Sequence, residues 1–303
     1  MNSRPLRAIL TSILSFGLPW TLSAGSSQGP QKSCHSCDSC SLASEKLGES
    51  ALSGDIGLNI VTSSYYRGVT RAGADHAPSL QPYINLSLKA HEEDGFLNKA
   101  VVSLGLWQSF INPAFYKAIP AAPPTRSRSW YESVFTPGVA LTFGKITLTE
   151  TYHFILFPNQ IGTDAQGLSS KLAYDDSDLL GAFALNPAIT HTVETSGKLA
   201  FVIPAQSQKG HSWEFSIAPA ASAGAISVSL PVSLVFGSNG FYYRNGYAYL
   251  SAGLQLAYTL PVPKTLGNWS VNTGATYYNS DRKATGNASN HDVVGSLGLG
   301  VAF

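Results

Sequence analysis

The residues with the clearest chemical potential stand in CHSCDSC, where Cys34, Cys37 and Cys40 recur every third position with His35 and Asp38 between them. Thiolates and an imidazole suit zinc or copper, so Cys34, Cys37, Cys40 and His35 make a candidate metal set. A haem attachment site needs histidine directly after C-x-x-C, and Asp38 stands there instead. A ferredoxin-type cluster needs a fourth cysteine, and Ser44 takes its place. The competing reading is a flexible exported segment with oxidised thiols, one of them left over by the odd count.

Two histidines invite a hydrolase reading, since a rim-borne nucleophile, base and acid would suffice for acyl transfer. His153 shares a face with Thr147, Thr149 and Thr151, and His191 lies in a weakly patterned stretch. Neither falls in a catalytic signature. Hydroxyl residues are so abundant that a Ser or Thr near either carries no information. Asp175, Asp176 and Asp178 in YDDSDLL lack the glycine and terminal glutamate of a calcium-binding EF-hand loop, so they read as an acid cluster near a loop or facing an interior. The expectation is a protein that is not an enzyme and holds no cofactor.

The elements that must position these residues are read from alternation. In the closing HDVVGSLGLGVAF, Val293, Leu297, Leu299, Val301 and Phe303 fall on one face, with Val294, Ser296, Gly298, Gly300 and Ala302 on the other. A period of two is a strand. An apolar face with nothing after it to cover it would aggregate in water and be ordinary in lipid. The pattern repeats. Ile56, Leu58, Ile60 and Tyr66 oppose Asp55, Asn59, Ser63 and Arg67; Leu80, Ile84, Leu86 and Leu88 oppose Gln81, Asn85, Ser87 and Lys89; Ile226 to Phe236 oppose a row of serines. Each run spans about the ten residues that a tilted transmembrane strand needs.

Composition agrees. Charged residues are 12%, hydrophobic residues 44% and aromatics 11%, with 28 glycines, a balance that suits strands and turns. The net charge of +1 advertises no nucleic-acid partner. At the amino end, Arg4 and Arg7 precede an apolar run from Ala8 to Leu22 broken by Pro19, then small residues around Ala24, which reads as a signal peptide over residues 1–24. The expected organisation is that leader, a flexible Cys-containing periplasmic segment over 25–50, and an all-β domain over 51–303.

Connections alternate as well. Long polar ones such as NPAFYKAIPAAPPTRSRS, GSNGFYYRNG and SDRKATGNASN fall at one end, and short ones such as Gly144-Lys145 and Ala223-Gly224 at the other. The count is about twelve strands. These observations predict a transmembrane antiparallel up-and-down barrel in the bacterial outer membrane, with long extracellular loops and short periplasmic turns. A soluble sandwich would need a second apolar face to bury, and here that face is Ser, Gly, Asn, Thr and charge. Asp55, Asn59, Arg67, Lys89 and Glu132 are therefore expected to line a wet lumen. Glu150 conflicts with the pattern, because the register that puts Ile146, Leu148, Tyr152 and Phe154 on lipid puts it there too; either a bulge shifts the register or the residue lies off the midplane.

SSYYRGVTRAGADHAPSLQPYINLSL resembles the TorF-type porin family of Gram-negative outer-membrane barrels, with an aromatic pair, Arg67-Gly68, an apolar residue and Thr70. ITLTETYHFILFPN, ending in Pro158, is similar to that family's fifth-strand stretch. The specific part is residues 57–86. Pro82 stands where the family would have glycine, and the Cys-bearing leader lies outside its pattern. The resemblance implies a pore-like role without naming a solute. Phe303 resembles the terminal aromatic that barrel assembly machinery reads. The expected partners are membrane lipid, that machinery and small hydrophilic solutes that diffuse passively. The alternative is a non-conducting structural or adhesive barrel, with the long loop after the third strand folding inward or making contacts outside. A barrel-embedded hydrolase or acyltransferase stands third.

Overall fold

The computed structural model describes residues 51–71, 77–112, 129–158, 164–197, 199 and 209–303. The signal peptide, the candidate metal set Cys34, Cys37, Cys40 and His35, and most of the long connection after the third barrel strand lie outside the described residues.

The chain closes into an antiparallel barrel. In chain order the strands are β1 (Leu52–Val61), the short β2 (Tyr65–Tyr66) and β3 (Val69–Thr70), β4 (Ser79–Glu92), β5 (Lys99–Ile111), β6 (Trp130–Phe143), β7 (Ile146–Leu156), β8 (Ala165–Tyr174) and β9 (Ala188–Ser196). They continue as β10 (His211–Ile217), β11 (Ala220–Ala223), β12 (Ile226–Ser229), β13 (Val232–Gly237), β14 (Gly246–Thr259), β15 (Asn268–Ser280) and β16 (His291–Ala302). Fourteen of these share one sheet, while β2 and β3 pair only with each other. β10 with β11, and β12 with β13, are halves of single staves, so the barrel has twelve. Pro219 and Pro231 separate the halves, since a proline gives no N–H to a ladder. The register resumes beyond them, with Leu230 N–H donating to the Pro219 carbonyl at 2.9 Å.

β1 closes the ring on β16 from Asp55 opposite Ala302 to Val61 opposite Ser296. Phe303 exchanges two backbone hydrogen bonds with Gly54, each 2.9 Å. The outward-facing alternation follows the sequence: Ile60, Leu88 and Leu230 stand exposed while Asn59 and Ser103 are buried. The tight turn between β6 and β7 uses Gly144 at φ 58°, a left-handed backbone that an ordinary side chain resists. The β8–β9 connection runs from Tyr174 to Ala188. It carries α1 (Ser177–Leu180) and a 3-10 turn over Gly181–Phe183.

The acid cluster holds that connection together. Asp176 accepts from the Leu185 and Asn186 N–H groups at 3.0 and 2.9 Å, Asp178 pairs with Lys145 at 3.1 Å, and Asp175 accepts from Ser177 N–H at 2.9 Å. The Glu150 conflict resolves without a bulge. β7 keeps one register against β8 from Ile146 to Ile155, so Glu150 does face outward, where Ser170 of β8 donates a 2.7 Å hydrogen bond to it.

Candidate functional site

The lumen has two unlike halves. Toward the chain termini its wall is polar, with Asp55 and Asn85 half-buried and Asn59 and Asn272 buried. Asp55 of β1 accepts from Asn85 Nδ2 of β4 at 3.1 Å. Asn59 and Asn272 flank Gly298, where any side chain would run into both amides. Lys89 stands near the end of β4, paired with Glu92, which also takes Lys99 at 3.2 Å.

Toward the loop end the interior is packed. Tyr131 and Glu132 of β6, His153 of β7, Thr192 of β9, Ser233 of β13 and Tyr249 of β14 are each at 1% exposure or less. This differs from the wet lumen expected throughout. The connection after β1 turns inward as the β2–β3 hairpin and fills the space. Arg67 and Gly68 form its tip at φ 50° and 74°, the paired positive values of a two-residue hairpin turn that matches strand twist. A Cβ on Gly68 would lie 2.1 Å from the Tyr249 ring, so that position needs glycine for space as well as for its φ. Two assignments change as a result. Tyr66 does not extend the lipid face of β1, and Arg67 is not a strand residue; both sit inside the barrel on the hairpin.

Side chains from six elements clasp the hairpin. Asn287, in the β15–β16 loop, accepts from Thr70 N–H at 3.0 Å and donates to the Gly68 carbonyl at 2.7 Å. Tyr242, in the β13–β14 loop, donates to the Arg67 carbonyl at 3.0 Å. Tyr65 donates to Asp292 at 2.6 Å and stacks on Tyr278 with centroids 4.6 Å apart. The Arg67 guanidinium donates to Thr192 at 3.0 Å and Ser169 at 3.2 Å, and lies near the Tyr66 and Phe241 rings. Ser169 also bonds to Thr192 and to His153 Nε2. His153 is thus tied into the hydroxyl network that holds Arg67.

Arg71 anchors the base of the hairpin. Its guanidinium meets Glu132 at 3.3 Å, with both side chains at 0% exposure, donates to the Leu199 carbonyl at 3.2 Å and lies 4.7 Å from the Tyr66 ring centroid. A buried ion pair is tolerable only with such supplementary bonds, because desolvating two charges is costly. The docking is not saturated: Ser63 and Ser64 have buried hydroxyls with no hydrogen-bond partner among the described residues. Each such group costs about 1–3 kcal/mol relative to being solvated.

Of the five residues expected to line the lumen, Arg67 and Glu132 join this stopper, Asp55 and Asn59 lie in the polar half, and Lys89 sits near the far rim. Arg71, Tyr242, Tyr249 and Asn287 were not singled out in the sequence. The local signal for the hairpin was weak, since Gly68 suits a two-residue turn but Arg67 stands where Asn, Asp or Gly is usual.

No family model matches the chain, and no curated protein matches it. Among solved structures, an outer-membrane channel from Pseudomonas putida F1 superposes with a TM-score of 0.51 at 8% identity, covering 88% of this chain and 100% of that one. The chain shares that channel's fold. NanC porin aligns at a TM-score of 0.44 and 11% identity over 82% of this chain and 98% of that one. Outer membrane phospholipase A from Escherichia coli aligns at 0.41 and 11% over 82% and 92%.

Proposed function

We propose that this protein is a porin-like barrel of the bacterial outer membrane that passes small hydrophilic solutes by passive diffusion, with the β2–β3 hairpin as a stopper that must shift to open the lumen. The carrying observation is the contrast within one lumen: a polar wall of Asp55, Asn59, Asn85 and Asn272 leads to an interior closed by an inserted loop rather than by the wall itself. Barrel interiors are polar in open channels and in plugged barrels alike, and a plug carried on a loop rather than built into the wall is one that can shift. The charges at the stopper are of both signs, Arg67 and Arg71 with Glu132. In a narrow, low-dielectric-walled space they would focus the field on any passing ion.

The pore-like reading agrees with the resemblance of residues 57–86 to TorF-type porins. Export by the amino-terminal leader and insertion through the barrel assembly machinery, guided by Phe303, belong to the same proposal, as does the absence of catalysis and of nucleic-acid binding. The buried engagement of Ser169 and His153 with Arg67 supports a structural role for that hydroxyl and imidazole. A non-conducting barrel is the second reading, favoured by the near-complete burial of the hairpin. Planar-bilayer recording of the purified chain separates the two. Step currents that increase when residues 65–70 are replaced by a short Gly-Ser turn support the channel; silence in both proteins, each inserted and heat-modifiable, contradicts it.

A further inference from the structure

The polar half of the lumen carries a flat aromatic surface. Gly300 of β16, Gly57 of β1, Tyr83 of β4 and Trp107 of β5 follow one another in a single row of the ladder. A Cβ on Gly57 would lie 2.4 Å from the Tyr83 hydroxyl oxygen and 2.6 Å from its Cε1, and a Cβ on Gly300 would lie 3.1 Å from the same oxygen. The ring therefore lies down across β1 toward β16, an approach to the backbone that the two glycines make possible. One ring face rests on the wall, and the half-buried side chain turns the other to the lumen. Trp107, at the far end of the row, packs against the core of the stopper, so the row ends where the lumen closes.

Amides border the ring on both sides. Two residues along toward the loops stands Asn59, opposite Gln81 and Gly298, with Asn272 on the other side of Gly298. Two residues the other way, Asp55 and Asn85 face each other. Asn59 Oδ1 and Asn272 Oδ1 lie 2.1 and 2.4 Å from the place of a Cβ on Gly298, so the two acceptors converge over that glycine. Both atoms are buried, and neither has a hydrogen-bond donor among the described residues. Acceptors left in that state are costly, and a ligand that brings donors removes the cost. The last torsion of an asparagine side chain is broad, so both amides can swing to meet a donor that enters from the lumen.

We propose that Tyr83, Asn59 and Asn272 form a luminal subsite for a neutral carbohydrate, reached from the mouth nearest the chain termini while the stopper is closed. A pyranose ring presents a face of C–H groups that packs on the electron-rich face of an aromatic ring. Its neighbouring hydroxyls each donate and accept, as the amides of Asn and Gln do. The sugar ring lies on Tyr83 beside Trp107, with hydroxyls bonded to Asn59 and Asn272 along one edge and to Asp55 along the other. Asp55 is the one ionised group among these bordering residues, and its charge is already met by Asn85 Nδ2, so the surroundings favour a neutral solute over an anion. The inference rests on the channel reading and names its solute class, but binding itself requires no open pore.

The test is isothermal titration of the purified chain, in a detergent that carries no sugar, with each variant checked for folding by heat-modifiability. Maltotriose should bind saturably. Sorbitol, which has the hydroxyls without the ring, and gluconate, which adds a negative charge, should bind at least tenfold more weakly. Tyr83→Leu should weaken maltotriose binding about tenfold through loss of the stacked face, whereas Tyr83→Phe should change it little. Asn272→Leu should weaken it about fivefold. Absence of saturable maltotriose binding, equal binding of sorbitol, or binding unchanged in both leucine variants would overturn the subsite. Maltotriose binding in a protein that is silent in planar bilayers would uphold the subsite and overturn the channel, so the two readings fail separately.

Discussion

Replacing Arg71 with methionine should release the hairpin without dismantling the barrel. The substitution removes the cation from a pair in which both side chains are wholly buried and leaves the Glu132 carboxylate buried without that counter-charge. Breaking one side of a buried pair costs about 3–5 kcal/mol, because the remaining charge stays desolvated. Since about 1.4 kcal/mol is a factor of ten, even the lower figure shifts the ratio of docked to undocked hairpin on the order of a hundredfold. The strand ladders are untouched, so the variant should insert and remain heat-modifiable. Two readouts follow the hairpin itself: open probability in single-channel recordings, and the rate at which a cysteine at Val69 reacts with a water-soluble maleimide. Both should rise by at least tenfold. Changing Glu132 to leucine in the same protein removes the stranded charge and should recover most of the loss, since an apolar pair of similar bulk replaces a buried ion pair at little cost. An Arg71→Met variant with wild-type current and labelling would refute the claim that this pair anchors the stopper.

Three further outcomes follow. Leu86→Arg places a charge on the lipid face between Ile84 and Leu88 and should cost about 2–4 kcal/mol of barrel stability in urea titrations in detergent or lipid, with no loss expected if that face were luminal. Arg67→Glu should leave assembly intact, loosen the hairpin by losing its ring contacts, and turn reversal potentials toward cation preference; unchanged selectivity in a conducting variant would contradict the field argument. Phe303→Ser keeps the backbone bonds to Gly54 but removes the terminal aromatic, and should reduce the folded outer-membrane fraction in cells, whereas normal insertion would mark the aromatic as incidental.

Much of the barrel was legible because lipid imposes a strict rule. A strand with water or protein on one side and hydrocarbon on the other must keep one face apolar, and the outward positions from Leu80 to Leu88 and from Ile226 to Phe236 are apolar throughout. The loop-end interior was not legible for the opposite reason. Tyr131, Tyr249 and Tyr278 point inward, yet their aromatic character is what a lipid face also shows, so pattern alone cannot tell a packed stopper from a girdle. Tyr66 was misplaced by the same ambiguity: continuing the β1 alternation past Val61 puts it on lipid, whereas the inward turn buries it. Glu150 resisted because its partner Ser170 comes from a different strand, and no local period records a cross-strand hydrogen bond. Arg67 and Glu132 were singled out individually, but their shared stopper depends on contacts far apart in sequence.

The central claim is that the hairpin is a movable stopper, and a reversible tether tests it most directly. An ideal Cβ on Gly68 lies 2.6 Å from the Cγ of Tyr249, which brings cysteines at these two positions into disulfide range once the tyrosine ring is gone, with the left-handed φ of position 68 costing roughly 1–2 kcal/mol. In a chain with Cys34, Cys37 and Cys40 changed to serine, the oxidised Gly68→Cys, Tyr249→Cys protein should be silent in planar bilayers, and a reductant added during recording should restore step currents. Currents that persist unchanged through a verified cross-link would contradict it.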